Sequence, residues 1–262
     1  MQIFVVDAFT SQPFGGNPAG VCFLDGERPD AWMLAVAAEM KHAETAFLLS
    51  YADGSYGLRW WTPEAEVPLC GHATLASAHA LWETGYLDRA SPARFHTLSG
   101  ELQATRAADG RITLDFPVAI AEPVAEPLGL FDGLGIASRP LLGTPFFTLV
   151  ELPEAAAVRD VQPDAATLRD VETDAVIVTA TSDDPRFDVV CRVFGPRIGI
   201  PEDAATGAAM CVLAPFWEAR FGQELRVVQL SARGGELHVL RAGERVFITG
   251  SAVTVVRGEL VP

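Results

Sequence analysis

Polar and apolar positions alternate over short runs along most of the chain and merge into long apolar stretches at only two places. Alternation, or a short apolar run bounded by Gly, Pro, Asp or Ser, predicts strands. In the first half these are Gln2–Val6, Gly20–Leu24, Thr45–Leu49, Leu58–Trp61, Ala93–Thr97, Leu102–Arg106 and Ile112–Phe116. In the second they are Phe146–Leu152, Ala175–Thr179, Phe187–Phe194, Leu225–Ser231, Glu236–Arg241 and Arg245–Thr249. Asp30 is expected to cap a helix that runs to about Met40. The Pro/Gly-rich QPFGGNPAG reads as the turn between the first two strands.

The two apolar stretches, ATLASAHALW and ATGAAMCVLAPFW, predict helices over Ala73–Glu83, ended near Gly85, and over Ala205–Arg220. A helix that is apolar all round is buried on all sides. In halves this rich in strand, that means a sheet curled around a central helix. Pro215 should kink the second helix or mark where its first turns end.

The halves also match each other. Gly100-Glu101-Leu102 and Arg106-Ala107 fall on Gly235-Glu236-Leu237 and Arg241-Ala242 at one constant shift, which also carries Ala73, Trp82 and Glu83 onto Ala208, Trp217 and Glu218. Slightly upstream, Arg59, Trp61, Pro63 and Pro68 match Arg192, Phe194, Pro196 and Pro201. The period is too long for a solenoid and points to two related domains. The expected fold is α+β: two similar domains, each a curled, mainly antiparallel sheet or barrel around a central apolar helix. The first domain is expected over residues 1–118 and the second over 119–251, related by internal duplication. A final strand, at about 252–262, can return to the first.

Composition narrows the function classes. The chain has 262 residues and a net charge of −15, with no Lys/Arg cluster, which argues against nucleic acid or an anionic membrane as partner. No apolar run reaches the length of about 20 residues that a membrane helix needs, and the start MQIFVVDAFT lacks the pattern of a signal peptide. Cys22, Cys70, Cys191 and Cys211 have no CxxC spacing. Four scattered thiols fit a reducing cytoplasm, the expected location.

The candidate chemistry gathers at the helix starts, CGHAT and DAATG. Helix N-termini offer unpaired N–H groups and about half a positive charge, so a carboxylate or phosphate binds well there. Simple capping by Thr74 and Asp203 is the alternative. Glu44 stands before an apolar strand, where burial would raise its pKa and let it exchange protons near neutrality, although a solvated helix-end glutamate is the commoner case. His72, at a helix mouth, could donate to substrate or relay a proton, while His79 reads as a satisfied core residue. Cys70 is either a reactive thiol or an inert buried one. The histidines show no HExxH or HxH pattern, so a metal site is weakly supported.

DAFTSQPFGGNPAGV, AETAF, WTPEAEVPLCGHATLA, LSGEL, RVFGPRIGIPEDAATGAA and RGGEL together resemble the phenazine-biosynthesis isomerase-like (PhzF) family, within the diaminopimelate epimerase-like fold. The resemblance implies an active site between the two domains, with Glu44 as catalytic acid/base and His72 and Asp203 as the other polar groups. Gly71 and Gly207 would supply backbone N–H groups, Asn17 would line the pocket, and Ala73, Thr206 and Ala208 would complete it. No metal, nucleotide or organic cofactor is implied, and a homodimer is suggested. Two departures stand out. Many members read EDPATGSA where this chain has Ala204 and Ala208. Cys70 resembles one of the paired epimerase cysteines, but DAATG holds no second. The expected reaction is therefore cofactor-independent proton movement at carbon in a small carboxylate-bearing metabolite. The alternatives are an amino-acid racemase or epimerase using Cys70, and a non-catalytic metabolite-binding protein.

Overall fold

The computed structural model describes residues 1–261. The chain divides into two units, one built from residues 1–116 and from 247 onward, the other from residues 117–246. The chain begins with β1 (Gln2–Ala8), β2 (Asn17–Leu24), α1 (Asp30–Met40), β3 (Thr45–Ser50) and β4 (Tyr56–Trp61). Then come β5 (Glu66–Val67), α2 (Gly71–Thr84), β6 (Ala93–Thr97), β7 (Gly100–Arg106) and β8 (Ile112–Pro117). The second unit adds β9 (Glu122–Pro123), α3 (Leu130–Leu134), β10 (Leu142–Gly143), β11 (Phe147–Glu151), α4 (Ala155–Asp160) and α5 (Ala165–Asp170). It continues with β12 (Ala175–Thr181), β13 (Val189–Gly195), β14 (Ile200–Asp203), α6 (Gly207–Phe221), β15 (Glu224–Gln229) and β16 (Gly235–Ala242). Last are β17 (Arg245–Gly250) and β18 (Ala252–Glu259). The final strand expected from the sequence reached residue 262, which lies outside the described residues.

In the first unit β2 runs parallel to β3, β3 antiparallel to β4, and β4 antiparallel to the short β5 and parallel to β6. β6 then pairs antiparallel with β7, and β7 with β8. β1 lies antiparallel to both β2 and β18. The central helix α2 packs against β1, β2, β3, β7 and β18, and only His79 and the residues near its end escape burial. On the other face of the sheet, Met33, Val36 and Ala37 of α1 pack on Cys22, Phe47 and Trp61. A strand buried on both faces reads as a continuous apolar run rather than an alternation, which is why β3 is spelled TAFLLS.

The second unit follows the same order of pairings. β11 runs parallel to β12, β12 antiparallel to β13, and β13 antiparallel to the short β14 and parallel to β15, which pairs antiparallel with β16. Here α6 is the buried helix, and α3, α4 and α5 replace α1 over a core that includes Leu130, Phe131, Val158, Leu168 and Phe194. The tryptophans that the repeat aligns have the same use in each unit. Each is buried, and each indole N–H finds a partner: Trp82 donates to the Ser91 carbonyl (3.0 Å) and Trp217 to the Thr179 hydroxyl (3.2 Å).

Four local expectations are corrected. Asp30 is the first residue of α1 and not its cap; its carboxylate accepts from Arg59 at 2.8 Å. Neither Thr74 nor Asp203 caps a helix, since Thr74 donates back to the Cys70 carbonyl and Asp203 accepts from the Thr206 hydroxyl. Pro215 does not end the helix: α6 runs through it, and the carbonyl of Cys211 that its missing N–H leaves free accepts from the Ala119 amide at 3.0 Å. Lastly, His79 is not a satisfied core residue. Its Nε2 is buried without a hydrogen-bond partner, and Glu83 stands 3.9 Å away.

Burial lowers the pKa of His79 below its ordinary 6.5, an effect that Glu83 only partly opposes. The unfolded chain therefore binds a proton here that the folded chain resists, and stability falls as pH drops through the unfolded pKa. Urea midpoints measured from pH 8 down to pH 5 should fall more steeply for wild type than for His79→Leu. Equal slopes would remove His79 from the account.

Candidate active site

Three elements bring the polar residues of the first unit together. α1 stops at Lys41, whose backbone is left-handed (φ 55°) and whose N–H still bonds Ala37. Three residues later the Glu44 carbonyl accepts from the Gly20 amide (3.3 Å), which fixes Glu44 at the mouth of β3. A side chain at Gly20 would collide with Thr45, its Cβ only 2.8 Å from the Thr45 hydroxyl, so glycine is what allows β2 and β3 this approach. Asn17 starts β2 at the same end and is buried.

The start of α2 supplies the rest. Cys70 is its extended N-cap residue, and Gly71 and His72 form its first turn. His72 Nε2 lies 3.4 Å from Glu44 Oε2, and its Nδ1 lies 3.5 Å from Cys70 Sγ. All three are buried, with Glu44 at 7%, His72 at 3% and Cys70 at 4% exposure. One imidazole thus bridges a carboxyl and a thiol. With the proton on Nε2, Nδ1 accepts from the thiol; with the proton on Nδ1 it donates to the sulfur, and in both states Nε2 faces the carboxyl. A carboxyl and an imidazole this close and this dry can pass a proton between them. Ala73 is fully buried, so its side chain belongs to the core.

Asp203, Thr206, Gly207 and Ala208 belong to the second unit, at the start of α6. The Asp203 carboxylate accepts from the Thr206 hydroxyl at 2.6 Å. Gln229, fully buried in β15, holds both: its carbonyl accepts from Thr206 N–H (2.8 Å), and its amide donates to the Asp203 carbonyl (2.7 Å) and the Thr206 hydroxyl (3.1 Å). Thr206 is therefore committed to orienting Asp203. Sequence reading missed Gln229; the signal was an amide inside the otherwise apolar run VVQL. Gln229→Leu removes every partner in this net and should cost about 1–3 kcal/mol of stability, read from chemical unfolding. Loss of less than that would mean the net is dispensable.

All four cysteines are buried and none is in a disulfide. Burial pushes the Cys22 thiol up to about 11 and Cys211, inside α6, to about 12; Cys191 is raised further still. None of these three can act as a thiolate near neutrality. A surface groove of about 430 Å³ beside α1, lined by Met33, Phe47, Leu49, Tyr51 and Leu98, lies apart from Glu44 and His72. Its Arg59 is already held by Glu66 and Asp30. Among the described residues no helix is long and apolar enough to cross a membrane.

Comparison with known proteins decides the family. The profile described as "Phenazine biosynthesis-like protein" matches residues 6–258. The chain belongs to the phenazine biosynthesis-like family. An uncharacterized isomerase from Halalkalibacterium halodurans is 44% identical, over 99% of this chain and 98% of its own. A crystal structure of a PhzF-family phenazine biosynthesis protein from Enterococcus faecalis superposes with a TM-score of 0.91 at 34% identity, covering 100% of this chain and 99% of that one. A probable proline racemase from Agrobacterium radiobacter shares the fold, with a TM-score of 0.67 at 14% identity over 99% of this chain and 92% of its own. The protein is thus an isomerase of the phenazine biosynthesis-like family, with a sheet-dominated α+β fold.

Proposed function

We propose that the protein moves a proton at carbon in a small carboxylate-bearing metabolite without a cofactor, with Glu44 as the general acid/base. The observation that carries this reading is the buried contact between Glu44 and His72 at the start of α2. A carboxyl excluded from water and held 3.4 Å from an imidazole nitrogen can take a proton from one carbon and return it to another. His72 then orients Glu44 or relays a second proton. In the first unit the helix start at Gly71 binds the substrate carboxylate, and in the second Asp203, fixed by Thr206 and Gln229, is the polar group held for substrate. Internal duplication accounts for the shared order of pairings. A homodimer in the cytoplasm belongs to the same reading.

The test is deuterium incorporation. The protein is incubated in D2O with a pool of small carboxylic and amino acids that includes a dihydro-hydroxyanthranilate, and mass shifts are read out. A shift lost in Glu44→Gln supports the reading and names the substrate class; a shift that survives ends it. The approach of Cys70 Sγ to His72 Nδ1 favours one second reading, a racemase in which Cys70 works opposite Glu44. In that case Cys70→Ala abolishes the shift.

A further inference from the structure

One feature of the first unit exceeds what proton transfer requires. A carboxylate oxygen, a thiol sulfur and an imidazole nitrogen lie within 4.8 Å of one another, all buried, from Glu44, Cys70 and His72. Oxygen, sulfur and nitrogen together are not the donors of Mg2+ or Ca2+, which take oxygen alone. They are the donors of Zn2+ and similar soft cations. We infer that Glu44, Cys70 and His72 form a binding site for one soft divalent cation, Zn2+ by chemistry, and that the bound ion shuts the active site.

Geometry and charge both allow it. Tetrahedral Zn2+, with bonds of about 2.0–2.3 Å, sets its ligand atoms about 3.3–3.6 Å apart. The contacts at 3.4 and 3.5 Å already have that spacing. They use opposite ring nitrogens, so one outer ligand must turn toward the nitrogen that takes the ion, closing the widest separation by about 1 Å. A thiolate and a carboxylate together balance the charge of the ion. The partial positive charge at the start of α2 opposes a cation and limits the affinity, which suits a reversible inhibitor better than a permanent structural ion. Three protein ligands leave the fourth position open to water. The ion also takes Glu44 out of proton transfer, a consequence that rests on the function proposed above, whereas the binding itself does not.

The full-length protein, stripped with a chelator, is titrated with Cd2+ while the thiolate-to-metal charge-transfer band is followed in the ultraviolet. Zn2+ is then measured by competition with a chromophoric chelator. One equivalent should bind, and Cys70→Ser should lose the band. Glu44→Gln and His72→Gln should each weaken binding at least as much as loss of a supporting residue does, about 10–100-fold. A variant with Cys22, Cys191 and Cys211 replaced by serine should keep the band, which assigns it to Cys70. No band at one equivalent overturns the inference. So does a band that Glu44→Gln and His72→Gln leave unchanged, since a thiol alone would then be binding. The metal-free enzyme separates the two readings: deuterium exchange without metal binding sinks only the cation site, and metal binding without exchange sinks only the proton transfer.

Discussion

Glu44→Gln is expected to lower substrate-dependent deuterium incorporation by about 10²–10⁴-fold, the range that a positioned acid/base contributes. The substitution keeps the size of the side chain and a polar group beside His72, and removes only the exchangeable carboxyl proton. Because Glu44 is fixed through its backbone, by the Gly20 amide on its carbonyl, the fold should not respond. Thermal unfolding should therefore match wild type while turnover collapses. His72→Gln should give a smaller loss if the imidazole only orients the carboxyl, and a comparable one if it relays the second proton. If Glu44→Gln instead raised KM and left turnover at saturation intact, Glu44 would be a binding group. Proton transfer would then have to be sought elsewhere.

The second large effect is on stability. Arg192→Ala is expected to cost about 3–5 kcal/mol, the range for breaking a buried ion pair by removing one partner. Arg192 is largely buried on β13. Its Nε and Nη2 grip both oxygens of Glu202, at 2.7 and 3.0 Å, while its Nη1 donates to the carbonyls of Val158, Arg159 and Val161 at the end of α4. Its guanidinium also lies 4.9 Å over the ring of Phe194. Removing it leaves a carboxylate without its cation and three carbonyls without their donor.

Arg59 is the internal control. It grips Glu66 in the same two-pronged way at 2.6 Å and stacks on Trp61, but its side chain is 35% exposed against 11% for Arg192, and Asp30 is its only other partner. Arg59 is the more exposed arginine and holds no backbone carbonyls, so Arg59→Ala should fall short of Arg192→Ala. Arg192→Lys should recover only part of the loss, because an ammonium cannot reproduce the fork. Urea unfolding gives the magnitudes, and hydrogen exchange over residues 117–246 locates the damage. Equal losses for the two arginines would remove the carbonyl contacts and the deeper burial of Arg192 as the cause.

The alternating strands were legible because period-two burial leaves a direct trace, and the two central helices because an unbroken apolar run long enough for three turns has few other uses. α3, α4 and α5 left no such trace. Each is five or six residues long, too short for helical periodicity to repeat, and their order comes from the core they cover. That α6 would continue through Pro215 was not legible for a related reason: the Ala119 amide that takes up the freed carbonyl is distant in sequence. At the site, the resemblance pointed to Glu44 and His72 as separate residues. That one imidazole faces both Glu44 and Cys70 depends on where β3 opens beside the start of α2, a tertiary fact that no local spacing encodes. Gln229 escaped notice because its partners lie more than twenty residues upstream.

The pairing of β1 with β18 has a consequence for how the chain is made. Gln2 lies opposite Glu259, and the second unit occupies residues 117–246 between them. As the nascent chain leaves the ribosome, β1 emerges first and its partner β18 last of all the described strands. The second unit is completely translated while the first still lacks an edge. Until β18 arrives, β1 has β2 on one side and an open ladder of amides and carbonyls on the other, the kind of edge that recruits other chains. Released chains truncated before residue 252 should accordingly show a protease-resistant second unit and a first unit that chaperones still bind.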